Sequence, residues 1–147
     1  MKSVEEKMKD IKRVVIPVDN TEASKSAARR GAFLAKLLGV DAKIITVNDT
    51  HQFIASVVIE DKLKKEAESF LESFKKIGEE IGVKIETELI TGNPAEEIVK
   101  YTNENDLIIM ANHGKKGIDR FMLGSVSEEV VRNAPCSVLV VKVDNHN

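Results

Sequence analysis

Residues 107–141 read LIIMANHGKKGIDRFMLGSVSEEVVRNAPCSVLVV, and this stretch decides the fold. Leu107 to Met110 is a short apolar run suited to a strand buried on both faces. A loop holding Gly114 and Gly117 follows, and Gly124 makes a second turn. A helix begins at Ser125, and a last strand follows Pro135. A strand that opens into a glycine loop and feeds a helix start presents backbone N–H groups to phosphate. The stretch therefore predicts an α/β sheet with an anion site on its rim.

The same alternation runs upstream. Arg13 to Val18 (RVVIPV) is a β-branched strand that Pro17 brings to a close, because proline withholds a ladder donor. Asp19, Asn20 and Thr21 form a turn able to cap the next helix. That helix carries Ala27, Gly31 and Ala35 at four-residue spacing, a stripe that permits close approach, and Gly39 ends it. Asp41 to Val47 is the second strand, whereas His51 to Asp61 has no clear period. From Leu63 to Ile81 the helical period returns, ended by Gly82. Val83 to Ile90 alternates apolar and charged residues, as a strand nearer a sheet edge does. Asn93 and Pro94 start a helix, with Glu96 completing a capping-box variant, and the helix runs to about Asn105.

Alternating strands and helices predict one α/β domain over residues 1–147, with 1–12 as a polar lead-in whose charges suggest a frayed or weakly helical start. The sheet is expected to be open, parallel and Rossmann-like, with helices on both faces. In such folds ligands sit beyond the carboxyl ends of the strands. Asp19, Val47 to Asp49 and Ala111 to Gly114 fall on that rim.

The totals narrow the function. A chain of 147 residues with net charge -2 has no global field for nucleic acid, and aromatics at 4% leave little for base stacking. No apolar run suits a membrane span, and the charged N-terminus lacks a secretory core. The single cysteine, Cys136, fits a reducing cytoplasm and reads as a small buried thiol. His51, His113 and His146 lack metal-ligand spacing, so no protein-built metal site is expected.

Several signals admit two readings on spacing alone. Gly114, Gly117 and Gly124 serve equally as turn residues or as a phosphate cradle. Ser125 with Glu128 reads as a capping box, with Glu128 turned back onto the backbone, while Ser125 and Ser127 hydroxyls could meet phosphate oxygens. Lys115, Lys116 and Arg120 are a solvated face or a source of one inward cation. Asp19 is a turn residue or an acceptor for ribose hydroxyls or an adenine amino group. Gly124 leads into Ser125-Val126 without the lysine of a P-loop, and the loop follows the fourth strand, so it is no dinucleotide fingerprint. No serine or cysteine has an evident base beside it.

With these residues laid out, the chain resembles the universal stress protein family, ATP-binding subgroup, over nearly its whole length. The family motif G-x2-G-x9-G-[S/T] is matched by Ala111-Asn112-His113-Gly114, nine residues, and Gly124-Ser125, with Ala111 in place of the first glycine. GKKGIDRFMLGSVSEEVVRNAPCSVLVVK and VVIPVDNTEAS are also close to the family's wording. The extra methyl is a modest intrusion if φ stays negative and a source of strain if the site needs a glycine-only conformation. With the other motif positions intact, nucleotide binding is expected to be retained. The resemblance implies strand order 3-2-1-4-5 and a homodimer paired through the last strand at Val138 and Val140. It implies that Asp19 and Val47 contact the nucleoside, that Met110 and Gly114 line the site, and that Gly124, Ser125, Val126 and Ser127 receive phosphates. The expected site for ATP or AMP, with Mg²⁺ or Mn²⁺ accompanying the phosphates, also takes in Pro17, Ala111, His113 and Gly117. The implied role is that of a cytoplasmic, dimeric regulator of stress response whose nucleotide state is read by an unknown protein partner. Hydrolysis is expected to be slow at most. The alternatives are a nucleotide-free interaction module, or a weak ATP hydrolase or phosphotransferase.

Overall fold

The computed structural model describes residues 1–49, 57–112 and 124–142. Its strands are β1 (Arg13–Pro17), β2 (Asp41–Asn48), β3 (Ile85–Thr91), β4 (Asp106–Ala111) and β5 (Ser137–Val141). Its helices are α1 (Val4–Lys9), α2 (Glu22–Leu38), α3 (Val57–Ile81), α4 (Pro94–Tyr101) and α5 (Ser125–Asn133). The strands form one sheet in the order β3-β2-β1-β4-β5. Every neighbouring pair is parallel, as expected.

Period-two alternation divides the apolar residues between two cores. Val14 and Ile16 of β1 and Leu107, Ile109 and Ala111 of β4 pack with Ala27, Ala28, Leu71 and Phe74 under α2 and α3. Val15, Ile108 and Met110 face the other way and pack with Ala95, Ile98 and Val130 under α4 and α5. All six residues of β4 are buried, which is why that strand carries no polar alternation. The edge strand β3 instead exposes every other side chain early in its length.

Helix α2 reaches the sheet through its small residues. A Cβ at Gly31 would stand 2.6 Å from Ile16 Cδ1, so glycine is what allows this depth of contact. Thr21 caps the helix start by accepting from Ser24 N at 3.1 Å. Gly39 closes the end in the left-handed region at φ 72°. Helix α4 starts as predicted, with Asn93 accepting from Glu96 N at 3.1 Å and Pro94 in the first turn.

The charged lead-in, expected to start frayed or weakly helical, forms the short helix α1. Several boundaries differ from expectation: strand β3 starts at Ile85, not Val83. Helix α3 begins at Val57, six residues ahead of the first readable period at Leu63. Helix α4 stops at Tyr101, not near Asn105, because Thr102 turns extended and its hydroxyl donates to the carbonyls of Ile98 and Val99. Asp106 then accepts from Asn103 N at 2.9 Å, fixing the turn into β4. Cys136 is half-buried, not fully enclosed, since it sits where the chain enters the outermost strand.

At the amino ends of the strands, Arg13 makes two 2.9 Å bonds to the buried Asp106 carboxylate and lies 4.8 Å over the Tyr101 ring. This cluster ties β1, β4 and α4 together at the end remote from the predicted rim. Among the described residues no helix is long and apolar enough to cross a membrane.

Candidate functional site

At the carboxyl ends of the strands, on the α4/α5 side of the sheet, lies a cavity of about 200 Å³. Pro17, Val18 and Asp19 contribute from the end of β1, Ile45 to Val47 from β2, and Met110 from β4. Pro94 and Ile98 of α4 and Val126 and Ser127 of α5 complete the wall. Most of the lining is apolar, with Asp19 at the mouth and Ser127 buried at the side. A second cavity, about 520 Å³, opens at the opposite end of the sheet among Lys2, Asp10, Glu104 and Cys136. Its charged lining and its place at the strands' amino ends set it apart from the ligand position of such folds.

The cavity exists because β1 stops early. Pro17 ends the strand, and Val18 N bonds Ile45 O at 2.8 Å as the chain turns away. Thr46 Oγ1 then donates to Val18 O at 2.8 Å, closing the floor. Strand β2 continues three residues past Ile45, Pro17's partner in the ladder. In a parallel strand successive residues turn their N–H and C=O to alternate sides. Since Ile45 O faces β1, the Val47 main chain faces the same side, above the point where β1 has left.

Asp19 stands on this rim with an exposed side chain. Its Oδ1 accepts from Thr21 Oγ1 and, at 2.8 Å, from Ser24 Oγ. Its own N–H donates to Ser24 Oγ at 2.9 Å. The turn-residue reading of Asp19 holds, and its carboxylate stands at the exposed rim.

On the other wall, α5 differs from α2 and α4 in that its N-cap residue has no side chain to bond the first turn. Gly124 is the N-cap and makes no side-chain bond to the first turn. The expected Ser125–Glu128 capping box is therefore corrected. Ser125 is already inside the helix, one position too late to cap it. Glu128 does not turn back onto the backbone; its carboxylate accepts from Arg132 Nη2 at 2.8 Å, one turn on. Ser127 is 2% exposed, and its hydroxyl donates to Ala111 O at 3.4 Å, a long bond that leaves it weakly held.

Of the expected site residues, the cavity brings together Pro17, Asp19, Val47, Met110, Val126 and Ser127. Gly124 and Ser125 start the helix whose next residues line it. Ala111 is near only through its carbonyl; its side chain packs in the α2/α3 core with Val141, on the opposite face of the sheet. No described non-glycine residue has positive φ, so Ala111 sits in ordinary strand geometry. His113, Gly114 and Gly117 lie outside the described residues, as do Lys115, Lys116 and Arg120. Sequence reasoning missed Val18, Ile45, Thr46, Pro94 and Ile98 as lining residues. The alternation that pairs Ile45 with Val47 on one face carried that signal, as did the nearness of the Pro94 helix start to a strand end. Among the described residues no three His, Cys, Asp or Glu side chains gather into a metal-holding group.

Comparison with known proteins bears on this geometry. The universal stress protein family profile matches residues 10–142. A universal stress protein of Methanocaldococcus jannaschii is 41% identical over 139 residues, covering 89% of this chain and 82% of its own. Among solved structures, the hypothetical protein MJ0577 superposes with a TM-score of 0.77 at 32% identity, over 92% of this chain and 98% of the other. A universal stress protein in complex with cAMP gives 0.68 at 23% identity, over 88% and 96%. The universal stress protein from Archaeoglobus fulgidus in complex with dAMP gives 0.66 at 22%, over 89% and 98%.

Proposed function

The chain belongs to the universal stress protein family, and from that premise we propose that it binds an adenine nucleotide, ATP or AMP, in the cavity above β1, β2 and β4. The observation that carries the reading is the meeting of an apolar slot with the start of α5, whose N-cap, Gly124, has no side chain to cover the first turn. A purine needs a flat apolar pocket with a few polar groups on its edge. Here Ile45, Ile98 and Met110 would flank the ring. The Val47 N–H and C=O form a donor–acceptor pair suited to an adenine edge, and Asp19 accepts from an amino group or a ribose hydroxyl. Phosphates would then run toward α5, where first-turn N–H groups and the helix dipole favour an anion. Ser125 and Ser127 would add hydroxyl donors. The family members solved with cAMP and dAMP support an adenosine phosphate as the ligand class. Mg²⁺ or Mn²⁺ would enter with the phosphates, which supply most of its oxygens.

In this reading the protein is a cytoplasmic homodimer, paired through β5, and partners sense whether the cavity is filled. Turnover is slow, and binding is the working event. Titrating the purified protein with fluorescent ATP and with AMP tests the reading. The expected result is saturable binding lost on Gly124→Val, whose side chain would obstruct the approach of phosphate to α5. Weak binding, indistinguishable between the two proteins, would refute it. Identifying by mass any nucleotide that copurifies would separate ATP from AMP.

A further inference from the structure

We propose that Ser24 is a positioning residue for nucleotide binding, its buried hydroxyl holding the Asp19 carboxylate in the orientation that meets the nucleoside. The inference rests on the reading that Asp19 contacts the ligand, and deepens it.

Asp19 and Ser24 differ in setting: Asp19 is exposed on the rim, whereas Ser24 is 1% exposed beneath it. Ser24 Oγ accepts from the Asp19 N–H at 2.9 Å and donates to the same residue's Oδ1 at 2.8 Å. A hydroxyl has one proton and two lone pairs. With a lone pair committed to the Asp19 amide, its proton is directed at the carboxylate, closing a small ring. That ring fixes the side-chain torsion of Asp19, which a surface aspartate would otherwise sample freely. Thr21 also donates to Oδ1, but Thr21 is itself exposed and already serves as the α2 cap. Of these two hydroxyls, the buried one, Ser24, is the rigid anchor. An acceptor held before the ligand arrives spares the ordering cost of binding.

The test combines two measurements on the intact protein. Hα–Hβ scalar couplings of Asp19, recorded without nucleotide, report its side-chain rotamer directly. Fluorescent ATP titration reports affinity for the parent, Ser24→Ala, Asp19→Ala and the double variant. The expected result is one dominant Asp19 rotamer in the parent and averaging in Ser24→Ala. ATP affinity should fall about tenfold in Ser24→Ala, in line with a hydrogen bond to a charged group. That loss should vanish in the Asp19→Ala background. A role confined to the start of α2 would lower melting temperature without moving either readout, and would overturn the proposal. So would an equal affinity loss in both backgrounds, or rotamer averaging already present in the parent; the latter decides the matter even if Ser24→Ala does not fold. If the parent binds ATP and Asp19→Ala weakens it while Ser24→Ala does not, the proposal fails and the nucleotide reading stands. If the parent binds no adenine nucleotide, both fall.

Discussion

Ala111 occupies the place of a motif glycine, and its effect turns on which way one methyl points. Strand alternation sends it into the α2/α3 core beside Val141, while Met110, its neighbour, faces the cavity. Ala111→Gly should therefore leave ATP affinity within about twofold of the parent. It should lower stability by about 1–2 kcal/mol, from lost burial and added chain entropy, as measured by urea unfolding. A tenfold gain in affinity would mean that the methyl does obstruct the ligand. Cys136 gives a second residue-level expectation. Burial, with the Asp106 charge adding to it, pushes its thiol above the ordinary range. The folded value then lies above the unfolded one, so this group's contribution to stability is intact below the ordinary thiol range. It is lost as pH climbs from the unfolded toward the folded value. Iodoacetamide should label the native thiol along a pH curve displaced upward from that of the denatured chain. A displacement in the opposite direction would contradict the burial argument.

Among the elements, those with both a periodic pattern and punctuation are legible in the sequence. Helix α2 had its cap residue, its small-residue stripe and its terminal glycine in plain sight. The stripe also makes a prediction: Gly31→Val would drive a branched side chain into Ile16 and cost about 2–3 kcal/mol of stability, measurable by thermal or urea unfolding. A loss under about 0.5 kcal/mol would show that the helix can back away. Helix α3 was only half legible, because its first turns mix apolar and charged residues without a clear period. The end of α4 escaped because its stop comes from a side chain, Thr102, returning to earlier carbonyls, a bond that no spacing rule announces. At the site, strand ends were readable from composition, which placed Asp19 and Val47 on the rim, whereas Met110 followed from the family resemblance. Pro94 and Ile98 were not, since their part depends on how α4 lies across the sheet. The capping box misled because Ser-x-x-Glu fits a helix starting at Ser125 as well as one capped by it.

For the molecule as a whole, the two borders of the sheet differ. Strand β3 carries Glu86 and Glu88 as exposed side chains on its outer run, with Lys84 just before it. Strand β5 presents Val138, Leu139 and Val140, with Leu139 45% exposed. Asn112 N bonds Val141 O, so Val141 faces β4 and, by alternation, the Val140 main chain points outward. Val140→Pro should thus remove an outward donor and leave the β4–β5 ladder intact. In sedimentation the parent should run at twice the monomer mass and the variant at the monomer mass. An unchanged mass would exclude pairing through this strand. Charged borders resist strand addition, whereas apolar ones with free amides invite it. A sheet with only one inviting border has nowhere to add a third copy, so growth by edge pairing terminates at a closed pair instead of lengthening into a fibre.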